Sequence, residues 1–506
     1  MLIVMISYMV FIIFLGFYQG RKVKTGTEFA IADRKLPGWI AALSERATGE
    51  SSWALLGLPG AAYATGLLEI WTAIGCVLGI LFAWIILAWR LRDEAEKYKV
   101  ETFTDYIAKR HGEMGKWLRI VGSFTIVFFF FFYVGAQFIG GGKTLENLFG
   151  IEKIYGMLIV VGLVIPYTIY GGFRSVTYTD VVQSIIMIIT LIAAPIAGII
   201  YLSNLSEGTV FATNISEALT RAGVSYSTLT GGAVLQEGTP LSSTLNNLFP
   251  NMQGIISGLG TGIIIAGAFS WFFGYLGGQP QLSMRFMAIK DARQAKIARN
   301  IGVIWTIVAY IGALMIGWIG IALFGPEGLS DQETVMPEVI TTIFHPIIAG
   351  LLITGVLAAI ISTANSLLIL SSTELSENII KPLQRKSLDT KTSLRYSRVI
   401  TAILSVIALI LAYFSSGNLI YTIVGYVWAG IGCTFSVVIL LTLFWKRFHG
   451  IPALLTIITG LLFTIIWIST GLEKIVTSRL LTFIVAGLVA IISSYLIKKP
   501  KLLSSK

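Results

Sequence analysis

Residues 44–53 read Ser44-Glu45-Arg46-Ala47-Thr48-Gly49-Glu50-Ser51-Ser52-Trp53, inside an apolar span that runs from Leu36 to Ala64. Three ionisable side chains and a glycine stand where the flanking sequence demands membrane depth. A charged group at the centre of a spanning helix costs at least ~2.5 kcal/mol, so groups retained there mark sites. Irregular backbone at that depth is tolerated only inside protein or along a wet cavity. The stretch therefore predicts a discontinuous helix, broken at Gly49, of the kind from which secondary transporters build ion and solute sites.

Outward from this break the chain keeps the same solvent. Of 506 residues 55% are hydrophobic and 12% charged, and the mean hydropathy is +0.81. A soluble domain carries about twice that charge. The expectation is an all-α polytopic membrane protein. Apolar runs long enough to span lie near 2–20, 37–62, 68–92, 118–148, 154–172, 180–203, 253–277, 299–324, 339–371, 396–415, 418–445, 450–470 and 479–497. That is about 13 transmembrane helices on a ~20-residue criterion. Cys76 and Cys433 both fall in apolar runs, so no disulfide framework is indicated, and His111, His345 and His449 lack metal-ligand spacing. His and Cys are too sparse for a membrane-embedded enzyme, and no filter-like repeat points to a channel.

The net charge of +11 is explained by topology. The first run, Leu2 to Phe17, has no basic segment before it and no cleavage site, and Arg21, Lys22 and Lys24 follow it. It reads as a retained helix with its N-terminus outside. From that start, 31 of the 37 Lys and Arg fall in the inner segments 21–36, 90–119, 278–299, 372–398, 446–449 and 498–506 and at Arg174. The outer segments hold only Lys153, Arg221, Lys474 and Arg479, while Arg46 and Lys143 lie within spans. This positive-inside split places the C-terminus inside and removes nucleic acid as a partner.

A second interrupted segment follows five spans later. Asn251 to Gly278 contains Gly254, Gly258, Gly260, Gly262, Gly267 and Gly274 and ends in Gly277-Gly278-Gln279-Pro280. Two breaks at that spacing suit an inverted five-helix repeat. The chain then divides into an extra N-terminal helix and inner loop (1–36), a first repeat (37–203), an outer loop (204–252), a second repeat (253–446), and two C-terminal helices with a tail (447–506).

In the ninth span, Ser362, Thr363, Asn365 and Ser366 follow Ala358-Ala359, and positions 359, 362, 363 and 366 share one helical face. Hydroxyls and freed carbonyls are hard oxygen ligands for a hard cation, although such residues also glue helices together. Asp180 opens the sixth span, either as an N-cap carboxylate near the inner surface or as a second cation ligand. Trp53 and Trp271 adjoin the two breaks, and Tyr133 and Gln137 lie one turn apart on a very apolar helix. Each is a solute contact or a satisfied core residue.

Several motifs together resemble the sodium/solute symporter family, most closely its sodium/proline symporter branch. They are the run from Ser51 to Ala61, Tyr170-Gly171-Gly172-Phe173 with Thr179-Asp180, Gly274-Tyr275 with Gln279-Pro280, Arg285-Phe286-Met287-Ala288, and Ala358-Ala359 with Ser362-Thr363. The match runs from Phe14 to about Arg447. It implies a LeuT-like fold with additional helices and Na+-coupled symport of a small organic solute, an amino acid such as proline, across the cell membrane. The main sodium site would take carbonyls of Ala47, Glu50 and Ala359 and hydroxyls of Ser362 and Thr363. A second would use Asp180, Ser362, Asn365 and Ser366. Solute contacts would come from Ser51, Ser52, Trp53, Tyr133, Ala136, Trp271 and Tyr275, with Gln137 beside them.

The chain also departs from that branch. Where the branch resembles Ala-Ser-Asp-Met-Ser-Gly-Trp, residues 47–53 carry the carboxylate one position on, at Glu50, and Glu45 and Arg46 replace small residues. Asn365 replaces a serine, and one extra residue separates Trp271 from Gln279. Three readings follow. Arg46 pairs with Glu45 or Glu50, because an unpaired buried charge is too costly. Glu50 supplies charge to the cation or exchanges a proton, which opens H+ coupling or another solute such as a sugar or carboxylate. Or Arg46 receives a solute carboxylate through a two-pronged contact.

Overall fold

The computed structural model describes residues 1–229, 265–383, 390–474 and 476–498. Among these, ten helices are long and apolar enough to cross a membrane. The difference from 13 has three sources. The runs at 37–62 and 68–92 follow each other in one helical stretch, Gly38–Tyr98, that turns at Gly66 (φ 63°, ψ −126°) and counts once. The run at 154–172 forms the part of helix Lys153–Ser203 before its Gly172 kink and does not count by itself. The run at 253–277, with Gly254, Gly258, Gly260 and Gly262, falls largely outside the described residues.

No strand forms among the described residues. A single parallel bridge joins Leu36 to Ile289, through Leu36 N to Ala288 O (3.0 Å) and Lys290 N to Leu36 O (3.0 Å). It ties the entry to the first broken helix to the residues that follow the second break.

The Pro346–Leu375 helix is the axis of the molecule. Of its most apolar window 83% is buried, against 33% for the peripheral helices Leu2–Gly20 and Ser478–Leu496. It packs on Lys153–Ser203, Gly115–Phe149 and Gly38–Ser52. Small residues permit the close crossings, as at Gly312, where a Cβ would stand 2.0 Å from the Leu191 carbonyl oxygen. Large apolar side chains such as Ile3, Phe14, Ile196, Ile304, Phe414 and Leu496 point outward. With lipid as the solvent they need no protein partner.

Among the described residues, three backbone breaks frame the centre of the molecule, besides the turn at Gly66. The first falls at Ser51 (φ 52°, ψ −169°), not at Gly49, which is helical. Gly49 makes room instead: a Cβ there would lie 3.2 Å from Leu282 Cδ2 and 3.4 Å from Arg46 Nη2. The second lies between the short helix Trp271–Gly274 and the helix Pro280–Met287, with Gly277 at φ +87°. The third is Gly172 (φ 58°, ψ −165°), inside the 51-residue helix Lys153–Ser203. Asp180 therefore sits two turns past a kink within a helix, fully buried, and the N-cap reading is wrong. Its cause is visible in the polar run before it, which stays helical because Ser175 Oγ donates to the Gly16 carbonyl (2.7 Å) and Thr179 Oγ1 to the Val176 carbonyl (2.9 Å).

Of the loop at 204–252, the described part folds back on the bundle. Ala212 N donates to Ala322 O (2.9 Å), and Asn214 caps the helix Ile215–Ala222. Residues 230–252 lie outside the described residues.

Candidate functional site

The conformation at Ser51 is essentially a glycine one and costs about 1–3 kcal/mol, so its surroundings must hold it. Ser51 Oγ accepts from Trp53 N (3.0 Å) and from the Tyr133 hydroxyl (3.3 Å). The backbone N–H of Ser52, freed by the break, donates to Gln137 Oε1 (3.0 Å). Tyr133 and Gln137 thus brace the break from the neighbouring helix, which accounts for two polar groups on an otherwise apolar stretch. The helix resumes through a π-helical turn at Trp53–Gly57.

On one side of the break, the two hydroxyls expected at the main sodium site are tied to neighbouring helices. Thr363 Oγ1 donates to the Thr48 carbonyl at 3.0 Å, joining the Pro346–Leu375 helix to the first broken helix. Ala47, Glu50, Ala359, Ser362 and Thr363 are all fully buried. Ser362 Oγ donates to Asp180 Oδ1 (2.6 Å), and Ser44 Oγ donates to Asp180 Oδ2 (2.6 Å).

The residues expected at a second sodium site surround a different cation. Arg285 Nη2 lies within hydrogen-bond reach of Asp180 Oδ2 (3.2 Å), Ser366 Oγ (2.6 Å) and Thr48 Oγ1 (2.8 Å), and its Nε donates to Ser44 Oγ (3.1 Å). Asn365 is not in this group. Its Oδ1 accepts from Thr168 Oγ1, on the kinked helix. In the sequence Arg285 stands within a family-like motif and carries no evident role. A fully buried arginine just past a break requires an anion, and that requirement is the signal that could have found it.

Arg46 satisfies the pairing reading with both carboxylates. Its Nε and Nη2 meet the two oxygens of Glu45, while Nη1 donates to Glu50 Oε1 (2.7 Å) and Thr306 Oγ1 (2.9 Å). Two-pronged contact with Glu45 uses the guanidinium edge that a solute carboxylate would need. Trp84 Nε1 also donates to Glu45 Oε2 (3.3 Å). Glu50 Oε2 has no hydrogen-bond partner among the described residues.

On the other side of the break lies an aromatic cluster centred on Trp53. Its ring centroid is 4.6 Å from Trp271, 5.9 Å from Tyr310 and 6.4 Å from Trp428. Tyr275 and Tyr133 pack edge-on to Trp428 at 5.1 and 5.8 Å. The Tyr275 and Tyr310 hydroxyls stand 3.1 Å apart, and Trp271 Nε1 donates to the Tyr421 hydroxyl (3.2 Å). The expected solute residues Ser51, Trp53, Tyr133, Trp271 and Tyr275 thus share one site, and Ala136 is buried on the helix that carries Tyr133. Ser52 Oγ, Trp53 Nε1 and Trp428 Nε1 lack hydrogen-bond partners among the described residues. Tyr310, Tyr421 and Trp428 escape sequence reasoning, because nothing local separates them from other aromatics in apolar spans. Gly274 admits Trp428: a Cβ there would stand 2.4 Å from its Cδ1.

Comparison with known proteins agrees with this architecture. The profile of the Sodium:solute symporter family matches residues 29–460. The chain is 36% identical over 462 residues to the high-affinity proline transporter PutP of Bacillus subtilis, covering 91% of this chain and 90% of that one. It is 32% identical over 476 residues to sodium/proline symporter 2 of Staphylococcus saprophyticus, covering 92% and 85%. Among solved structures, a Na+-coupled sialic acid symporter in a substrate-bound outward-open state aligns with TM-score 0.74 at 17% identity, over 99% of this chain and 98% of that one. The nucleobase-cation-symport-1 transporter MHP1 aligns with TM-score 0.55 at 13% identity, over 92% of each chain. The fold is the LeuT-like one that these structures share.

Proposed function

The chain belongs to the Sodium:solute symporter family, and from that premise we propose that it imports proline, or a closely similar small amino acid, together with Na+. The observation that carries this reading is the division of the site by one backbone step. At Ser51 a group of oxygens from Thr48, Ser362 and Thr363 meets an aromatic cluster containing Trp53, Trp271 and Trp428. Hard oxygens suit a monovalent cation, and ring faces with unpartnered indole N–H groups suit a compact zwitterion with an apolar ring.

In this reading Na+ binds the carbonyls of Ala47, Glu50 and Ala359 and the hydroxyls of Ser362 and Thr363. The solute lies against Trp53 and its ring neighbours, with its carboxylate toward Ser52 Oγ. Cation binding stabilises the outward-open arrangement, and rocking of the repeats exposes both ligands inward. The N-terminus is outside and the C-terminus inside, in the plasma membrane. Arg285 fills the second cation position, so one Na+ accompanies each solute. One charge moving down ~100 mV supplies about 2.3 kcal/mol, and a tenfold gradient adds about 1.4 kcal/mol. Together these support accumulation of several-hundred-fold.

A second reading is favoured by Glu50 Oε2, which has no partner among the described residues. There Glu50 exchanges a proton and H+ drives uptake. A thermal-shift screen of amino acids, sugars and carboxylates, with and without NaCl, tests the first reading. It expects stabilisation by L-proline only when Na+ is present, because the two ligands are linked. Equal stabilisation in choline chloride contradicts it.

A further inference from the structure

Far from the break, at the other end of the helix that carries Ser362 and Thr363, a second oxygen cluster surrounds a carboxylate. Glu374 lies twelve residues beyond Ser362, ~18 Å along the helix axis, and its side chain is fully buried. Its Oε2 accepts from the hydroxyls of Thr104 and Ser123 (2.8 Å for Ser123) and from Asn378 Nδ2 (2.6 Å). Among the described residues no Lys, Arg or His lies in ion-pair contact with Glu374, unlike Glu45, Glu50 and Asp180. Neutral donors alone face a buried charge, which is costly to leave uncompensated.

The anomaly is at Asn378. Its amide nitrogen lies 2.6 Å from Glu374 Oε2, 2.5 Å from Thr104 Oγ1, 2.9 Å from Thr102 Oγ1 and 3.1 Å from Ser123 Oγ. An amide NH2 has two hydrogens and serves two of these four oxygens. The group stands at the centre of an oxygen cage built for something of higher coordination. A half-turn of the amide alone would only put Oδ1 where Nδ2 now stands, so the carbonyl can serve as a fifth oxygen only once the side chain has withdrawn from the centre of the cage. Asn378 stands four residues, one helical turn, beyond Glu374 and lies in a π-helical turn at Ser376–Ile380, a feature frequent at functional sites. The cage adjoins a cavity of ≈ 300 Å³ that Thr102 and Asn378 also line. Several of the charges around that cavity pair with each other, as in Arg119–Asp105 (2.7 Å), Lys109–Asp105 (2.9 Å) and Lys381–Glu377 (2.7 Å).

We propose that Glu374, Asn378, Thr102, Thr104 and Ser123 form a binding site for a monovalent alkali cation, separate from the site at Ser362 and Thr363. One carboxylate with four neutral oxygens matches a single positive charge, and all-oxygen ligation selects a hard ion. The cation enters through the cavity and takes the place that the Asn378 NH2 group now fills, and the Asn378 side chain swings to another rotamer from which its carbonyl joins the ligands. The site stands on this geometry and does not depend on the identity of the transported solute.

The test uses purified full-length protein titrated with NaCl, KCl or CaCl2 against choline chloride at constant ionic strength, with Tm as the readout. In the S362A/T363A variant, which removes the hydroxyls of the other site, an alkali cation still raises Tm saturably. Adding E374Q abolishes that rise. Adding N378D, which gives the cage a second carboxylate, tightens the apparent alkali-cation affinity roughly tenfold, as ligand charge count requires. The proposal is overturned if the saturable rise is absent, survives E374Q, or is produced by CaCl2 alone. Should E374Q fail to fold, N378D decides, and unchanged or weaker affinity rejects the cage. A failure of the sodium/proline reading appears separately, as undiminished Na+-driven uptake in S362A/T363A.

Discussion

Arg285 and Asp180 form a fully buried ion pair, Nη2 to Oδ2 at 3.2 Å, that links the segment after the second break to the kinked helix. The same guanidinium nitrogen reaches Thr48 on the first broken helix and Ser366 on the central helix. Four helices therefore meet on one resident cation, beside the oxygens expected to hold a transported one.

Removing that cation leaves Asp180 buried without its partner, a change that costs about 3–5 kcal/mol in buried pairs. R285Q is expected to melt at a lower temperature in sodium-free buffer. It is also expected to recover more of its stability on adding NaCl than the wild type does, because Asp180, Ser362 and Ser366 then receive Na+. Equal salt response in the two proteins rejects the assignment of Arg285 as a substitute cation.

The Arg46 group predicts an asymmetry between its two acids. E45Q breaks a two-pronged buried pair and is expected to lose about 3–5 kcal/mol. E50Q gives up the ion pair with Arg46 but leaves Arg46 and Glu45 as a neutral pair and keeps an amide oxygen to accept from Arg46 Nη1, so it loses much less. Denaturant titration of both variants in detergent measures this, and equal losses contradict the geometry.

Strain at Ser51 sets the order of two further variants. S51G relieves a backbone conformation worth about 1–3 kcal/mol but loses two hydrogen bonds to Ser51 Oγ, worth about 0.5–1.5 kcal/mol each. S51A keeps the strain and loses the same bonds. S51G is therefore expected to be the more stable of the two, by about 1–3 kcal/mol. The reverse order would show that Ser51 does not carry the strain.

At Gly274 an added methyl group meets Trp428 at 2.4 Å. Overpacking of this kind costs about 1–3 kcal/mol. G274A is expected to displace Trp428 toward Trp53 and weaken solute binding while leaving Na+-induced stabilisation near that of the wild type. Parallel ligand and NaCl titrations by thermal shift separate the two effects.

How much of this is legible in the chain depends on which residues do the signalling. Charge inside an apolar span locates the first break to within ten residues, since a membrane-spanning helix rarely retains charge without a site to hold it. Its position within those ten is not legible, because a glycine can yield space as well as flexibility. The neighbour that needs the space, Arg46, acts through its side chain. Asp180 resembles a cap in the sequence because Ser175, Thr177 and Thr179 suggest a loop, yet their hydroxyls are satisfied by carbonyls around them. Hydroxyl spacing finds Ser362 and Thr363, whose periodicity is local. Trp428, Tyr310 and Tyr421 join the solute cluster from distant segments, and no local pattern encodes that meeting.

The most direct test of the account is uptake of radiolabelled L-proline into proteoliposomes under an imposed inward Na+ gradient, compared with an inward H+ gradient in sodium-free buffer. The account predicts concentrative uptake with Na+ that collapses in S362A/T363A, and no accumulation with H+ alone. Accumulation driven by H+ without sodium, unaffected by S362A/T363A and lost in E50Q, would contradict it.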